Sequence, residues 1–525
     1  VKKQPEAVTT WGLRWQTILL TGLSLSIGWG IRGNFGHEYG AMLPGALAAM
    51  AVVLVSGRED WQRRIAYFAL FGAIGWAFGG SMSYMQVIAY THSGDSLSVW
   101  YGFACLFLIG FFWAAMGGAG TALPAFLSRE RLTEFFAPMS AVFATFWVWD
   151  IIYGRMSDMQ QDRLDPFLKY DCDWIAALLA LVAVVIFALI RRRLDKASEL
   201  ILHICVGWWA GFLILVIGLH LRMTPPRGDN WAGCLGMVVG MIVYFQRNGL
   251  GGVTFASLVT GVIGGLAFAT ATLFKLIELK SGLTTNWHSI LEQTYGLFNG
   301  IGVAIAMGLL MPRAPRLIDA PPVRRWTEAY AVGFLLLVVT YVNIEKEVKD
   351  WTHSKSMPEV MYFLSAHGWF DLAYAAGALV ILWLLREHLR RPLPVVPTSW
   401  LGKGQMLYLV FLWWMVLGNF MKALVAFAPQ RLVTEGTIHL NALFCTLLLL
   451  LCSQLPGRFP VRPLADYAPL IRKSLLLGAA ALVLFPVVDW GIVRALYGNT
   501  FAGYAGLHIR FGPHATIHIP DPSPP

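Results

Sequence analysis

Long apolar runs follow one another along most of the chain, broken by short polar or basic stretches. Each run of about 18–25 residues is long enough, as a helix, to cross a hydrocarbon layer about 30 Å thick. The first six fall at 15–31, 40–56, 66–90, 98–122, 135–153 and 174–190. Six more fall at 201–221, 231–246, 252–277, 290–311, 327–344 and 369–385, and three at 404–427, 437–455 and 474–494. This pattern predicts an all-α polytopic membrane protein with about 15 transmembrane helices. Alternating strand-length segments of the kind that build an outer-membrane barrel are not seen. Segment 358–385 has room for a re-entrant turn ahead of its helix.

The first two sets of six carry the same marks in the same order. Ile27-Gly28 and Arg32 return as Ile217-Gly218 and Arg222, and Gly45 with Met50 returns as Gly236 with Met241. Gly72-Ala73-Ile74-Gly75 returns as Gly261-Val262-Ile263-Gly264, and Arg131-Leu132-Thr133-Glu134 as Arg325-Trp326-Thr327-Glu328. Tyr101-Gly102 likewise returns as Tyr295-Gly296. An offset of 189–195 residues, held in order, predicts a duplication. An even number of crossings per copy makes the two copies parallel, related by an axis near the membrane normal. The expected division is a six-helix repeat at 1–196, a second at 197–391, a three-helix segment at 392–498 and a tail at 499–525. Pairs such as Gly75/Gly79, Gly207/Gly211, Gly236/Gly240, Gly261/Gly265 and Gly296/Gly300 are spaced for close helix contact.

Composition agrees: 57% of residues are hydrophobic and 13% charged, which excludes an ordinary soluble chain. The formal charge of +10 has a topological origin. More than half of the lysines and arginines fall in alternate inter-run segments, placing the N-terminus inside, the C-terminus outside, and the chain in the plasma (inner) membrane. These anchors meet anionic lipid and give no reason to invoke nucleic acid.

The densest polar segment is Gly30-Ile31-Arg32-Gly33-Asn34-Phe35-Gly36-His37-Glu38-Tyr39-Gly40, on the predicted outer side. Ionisable groups at membrane depth are costly and usually face a cavity, which makes Arg32, His37 and Glu38 candidates. Arg222 is the equivalent of Arg32, and a pair of guanidinium groups across the pseudo-axis suits a carboxylate or phosphate. A second cluster comes from the last three runs: Asn419, Lys422, Arg431, Glu435, His439 and Asn441. Glu435 and His439 are four apart and share one helical face, as a proton pair would. Asp150 and Asp489, each beside a tryptophan, are further buried acids. Glu134 and Glu328 follow a threonine and read as helix caps. The alternating tail around Gly512-Pro513 predicts a surface hairpin.

Two stretches bear resemblances. Gly57-Arg58-Glu59-Asp60-Trp61-Gln62-Arg63-Arg64 resembles the basic loop of major-facilitator transporters at the same place, although the second copy has only Gln246-Arg247-Asn248-Gly249 there. Trp400-Leu401-Gly402-Lys403-Gly404-Gln405-Met406-Leu407-Tyr408-Leu409-Val410 resembles a stretch of polytopic membrane acyltransferases, without the early Arg-x-x-Asp of that group.

No nucleophile elbow, zinc motif, phosphate loop or dinucleotide fingerprint is present, and no cofactor or metal is called for. The leading expectation is a multi-pass transporter for a small anionic or polar solute bound between the repeats. The alternatives are a membrane-embedded acyl or glycosyl transferase acting on a lipid-linked substrate at the outer face, and a scaffold subunit without turnover. The substrate-binding candidates are Arg32, His37, Glu38, Arg222, Lys422, Glu435 and His439; the lipid bilayer is the expected environment, and the oligomeric state is left open.

Overall fold

A computed structural model describes residues 14–35, 38–78, 84–159, 172, 174–223, 229–317, 325–390, 402–425, 429–452, 461–498 and 509–510. In chain order the helices are α1 (Trp15–Phe35), α2 (Glu38–Leu54), α3 (Glu59–Gln62), α4 (Ile65–Phe78), α5 (Met85–Thr91), α6 (Ser96–Ala122), α7 (Arg129–Thr133), α8 (Phe136–Met159), α9 (Trp174–Arg191) and α10 (Lys196–Gly211). They continue with α11 (Asn230–Arg247), α12 (Gly251–Ser281), α13 (Trp287–Leu310), α14 (Arg325–Gly333), α15 (Thr340–His353), α16 (Ala366–Arg390), α17 (Lys403–Val425), α18 (Pro429–Cys452) and α19 (Ala468–Tyr497). Phe212–Gly218 and Phe334–Val339 wind as π-helix, the first extending α10 and the second joining α14 to α15.

The described parts of the apolar runs read from the sequence lie largely on helix, those of the run at 66–90 on α4 and α5. Ten helices among the described residues are long and apolar enough to cross a membrane, and Tyr39–Leu54 and Ile65–Ala77 are shorter apolar helices. This is the architecture of an all-α membrane protein. Strand is confined, among the described residues, to two short antiparallel pairs. In β1 (Arg222–Met223) and β4 (Ile509–Arg510), Arg222 stands opposite Arg510. In β2 (Val360–Met361) and β3 (Leu364–Ser365), a hairpin directly precedes α16, where the sequence left room for a re-entrant turn.

The chain forms two compact units. The first comprises residues 1–80, 113–127 and 251–481, and the second 81–112, 128–250 and 482–525. In the first unit α13 lies against both α1 and α12. The α1–α13 crossing is close because Gly296 and Gly300 present no side chain to it. A Cβ on Gly296 would lie 2.7 Å from the Leu25 carbonyl oxygen, and one on Gly300 would lie 2.5 Å from that of Thr21. Without a hydrophobic drive between helices in lipid, such backbone approach supplies the packing energy. In the second unit the same device joins α10 to α11, through Gly207 and Gly236. Helices α9 and α16 leave most of their apolar surface open, as helices facing lipid do.

One end of the first unit is closed by the basic loop after α2. Arg58 is buried, forks onto both carboxylate oxygens of Asp60 and donates to the carbonyls of Met311, Ala314 and Pro315 beyond α13. Arg64, also buried, donates to the carbonyls of Pro124 and Leu127 just past α6. Cations at helix C-termini satisfy orphan carbonyls and complement the helix dipole. The segment that resembles a transporter loop is therefore spent on capping two helices. Arg58→Ala is expected to cost about 2–3 kcal/mol, since it strands buried carbonyls. Arg63→Ala removes an exposed pair with Glu59 and is expected to cost under about 1 kcal/mol. Thermal melting of the two purified variants side by side checks the contrast.

Candidate functional site

At the opposite end of α2 from that loop, the last turn of α1 meets the first turns of α13. The helices carry complementary charges there: Arg32 in the last turn of α1, where the helix dipole favours a cation, and Glu292 in the second turn of α13. Asn286 caps α13 by accepting the Ser289 N–H at 3.2 Å. Arg32 Nη2 donates to Glu292 Oε1, with both side chains almost completely buried, at 2% and 3% exposure. One turn before Glu292, His288 Nε2 lies 3.5 Å from the same carboxylate oxygen. The charges of Lys275 and Arg431 also act on this imidazole.

Aromatic rings enclose the guanidinium. Its carbon stands 4.6 Å from the ring centre of Trp29, one turn earlier on α1, and 5.2 Å from that of Trp113. Trp29 meets Trp113 edge-on at 4.6 Å and Tyr295 at 4.8 Å, and Phe268 lies against Tyr295 at 4.4 Å. The Trp113 indole donates to the Trp76 carbonyl at 2.8 Å, whereas the buried indole N–H groups of Trp29 and Trp76 have no acceptor among the described residues. Cation–π contact stabilises a guanidinium more when water is excluded, as it is here.

Gln293 carries this end of α13 across to α18. Its carbonyl accepts from Ser26 Oγ at 2.7 Å, and its amide donates to Ser289 Oγ at 3.1 Å and to the Thr434 carbonyl at 3.3 Å. The next residue, Glu435, is buried and accepts from the amide of Asn419 on α17. His439 Nδ1 meets the backbone carbonyl of Glu435 at 2.9 Å, and its ring stands edge-on to Trp413. The Arg32–Glu292 pair and the Glu435–Asn419 pair thus stand at one end of α1, α13, α17 and α18, coupled by Gln293.

Of the residues picked from sequence, Arg32 and Glu435 are brought into this cluster, with His439 one turn along from Glu435. Glu38 opens α2 and Lys422 lies in the last turn of α17, and for both only the backbone is described. His37 lies outside the described residues. Arg222 belongs to the second unit, where its backbone pairs with Arg510. Of the tail read as a surface hairpin, only Ile509–Arg510 is described. In the stretch that resembles acyltransferases, Lys403 pairs with Glu328 at 3.2 Å and the Tyr408 hydroxyl bonds Ser24 Oγ at 2.6 Å, so both residues serve packing. Glu292, His288 and the Trp29–Trp113 pair are not singled out by the sequence reading. The signal for Glu292 was present, since it is an acid inside the apolar run 290–311.

No family model matches the chain, and no curated protein or solved structure is significantly similar to it.

Proposed function

We propose that this chain is a multi-pass membrane transporter that binds a small anionic or polar solute at Arg32. One observation carries the reading: a fully buried arginine, stacked against two indoles, is paired with a buried carboxylate from a helix distant in sequence. Taking both charges out of water costs several kcal/mol per ion, and an apolar pair of similar volume would pack at least as well. A pair kept at membrane depth despite that cost fits a binding role better than a structural one. The guanidinium fork fits a carboxylate or phosphate, so a solute of that class can take the position of the Glu292 carboxylate. Glu292, once displaced, is the group that takes up a proton, with His288 beside it to relay one.

In this reading the protein has about fifteen crossings in the plasma membrane, as two parallel six-helix copies and three further helices. Arg32 comes from the first copy and Glu292 from the second, so the solute sits between copies, where duplicated transporters hold theirs. The test is uptake of a panel of labelled carboxylate and phosphate solutes into vesicles containing the purified protein. Uptake of at least one of them should be abolished in Arg32→Ala at equal protein level. Undiminished uptake in that variant would remove Arg32 from the site.

A further inference from the structure

A buried acid in the second unit plays no part in the site just described. Helix α19 has 30 residues, or about 45 Å of length against about 30 Å of hydrocarbon. Asp489 is the only ionisable residue between Lys473 and Arg494. It stands about 32 Å along the helix, which places it within the hydrocarbon when the helix is centred. Around it the helix is built for lipid: Leu475, Leu476, Leu477, Val483, Leu484, Val487 and Val488 are all exposed. Asp489 is turned the other way and is only 1% exposed.

Among the described residues it has no counter-charge. Oδ2 is buried and has no hydrogen-bond partner among the described residues, and the same holds for the neighbouring Trp490 indole N–H. Among the described residues no charged group acts on the carboxyl. Arg494, the arginine nearest to it on α19, is directed to the Gly94 and Gly498 carbonyls and Ser96 Oγ. A structural acid in a protein interior normally has its oxygens satisfied by donors. An ionised carboxylate left bare at this depth is among the costliest arrangements a membrane helix can carry, and such residues mark ion or proton pathways.

From this geometry we infer that Asp489 is an intramembrane proton-binding site, with the proton carried on Oδ2. A proton needs one oxygen, whereas a metal ion needs several converging oxygens, and a lone carboxylate does not supply them. The inference stands apart from the solute reading, because neither Arg32 nor Glu292 takes part in it.

Carbodiimide mapping tests it on the full chain in lipid vesicles at neutral pH. Dicyclohexylcarbodiimide, which partitions into lipid and reacts with the protonated carboxyl, should modify Asp489, with the adduct located by peptide mass spectrometry. A water-soluble carbodiimide should leave it unmodified. Asp489→Asn, isosteric with the neutral acid, should lose the adduct and also the infrared carbonyl band of a protonated carboxyl. Absence of the adduct from folded wild-type protein would overturn the inference, as would equal reaction with the water-soluble reagent. Protection of Asp489 by sodium ions would overturn it too, assigning a metal ion in place of the proton.

Discussion

Glu292→Ala is expected to melt far below the parent protein, with a loss of about 3–5 kcal/mol. The variant leaves the Arg32 guanidinium at 2% exposure with the Glu292 carboxylate removed. The indoles of Trp29 and Trp113 soften this loss without cancelling it, since a cation–π contact supplies about 2 kcal/mol when desolvated. Replacing both partners with apolar residues of similar volume, Arg32→Met with Glu292→Leu, is expected to restore melting to within about 1 kcal/mol of the parent or above it. Uptake, by contrast, should stay abolished in the double variant. Recovery of stability without recovery of transport separates a binding role from a structural one. If the double variant melts as low as Glu292→Ala, the pair is not an independent unit and the reading of Arg32 as a solute receptor loses its support.

The second large effect concerns the α10–α11 crossing. A Cβ on Gly236 would stand 1.9 Å from the Gly207 carbonyl oxygen and 3.2 Å from the Gly211 nitrogen, both backbone atoms that no rotamer change can move. Gly236→Ala must therefore push the helices apart, at a cost of about 3 kcal/mol or more. The sign is informative, because alanine in a helix is ordinarily favoured over glycine by about 1 kcal/mol. Gly418 on α17 is the control: a Cβ there meets nothing within 4 Å among the described residues, so Gly418→Ala should be neutral or slightly stabilising. Melting temperatures and yields of the two variants decide it. Equal effects at both sites would mean that the close crossing is not what holds α10 to α11.

Much of the fold was legible because its signals are local. Apolar runs of membrane-crossing length became helices, and the Gly207/Gly211 and Gly236/Gly240 spacings became a backbone crossing. The candidate site was legible only in part. Arg32 and Glu435 stand out as charges in apolar surroundings, and burial at helix ends bears on both. What a single sequence withholds is partnership. Glu292 is far from Arg32 along the chain, and nothing in either neighbourhood names the other. Glu435 and His439 share a helical face as their spacing requires, yet His439 Nδ1 meets the Glu435 backbone carbonyl while the carboxylate takes the Asn419 amide. Spacing fixes the face but not the atom. Arg58 and Arg64 carry the opposite lesson: by charge they read as topology anchors meeting anionic lipid, but both are buried on helix-end carbonyls that only the fold brings within reach.

Both ends of α13 are met by arginines made long before it. Arg32 precedes Glu292 by 260 residues, and Arg58 precedes the Met311 carbonyl by 253. At a synthesis rate of about 5–20 residues per second, each guanidinium waits on the order of 10–50 s for its partner. During that interval Arg32 carries its charge before the Glu292 carboxylate exists, and its long side chain lets the guanidinium stay in a polar environment. By order of synthesis, then, α13 is a late partner for two early arginines, one at each of its ends.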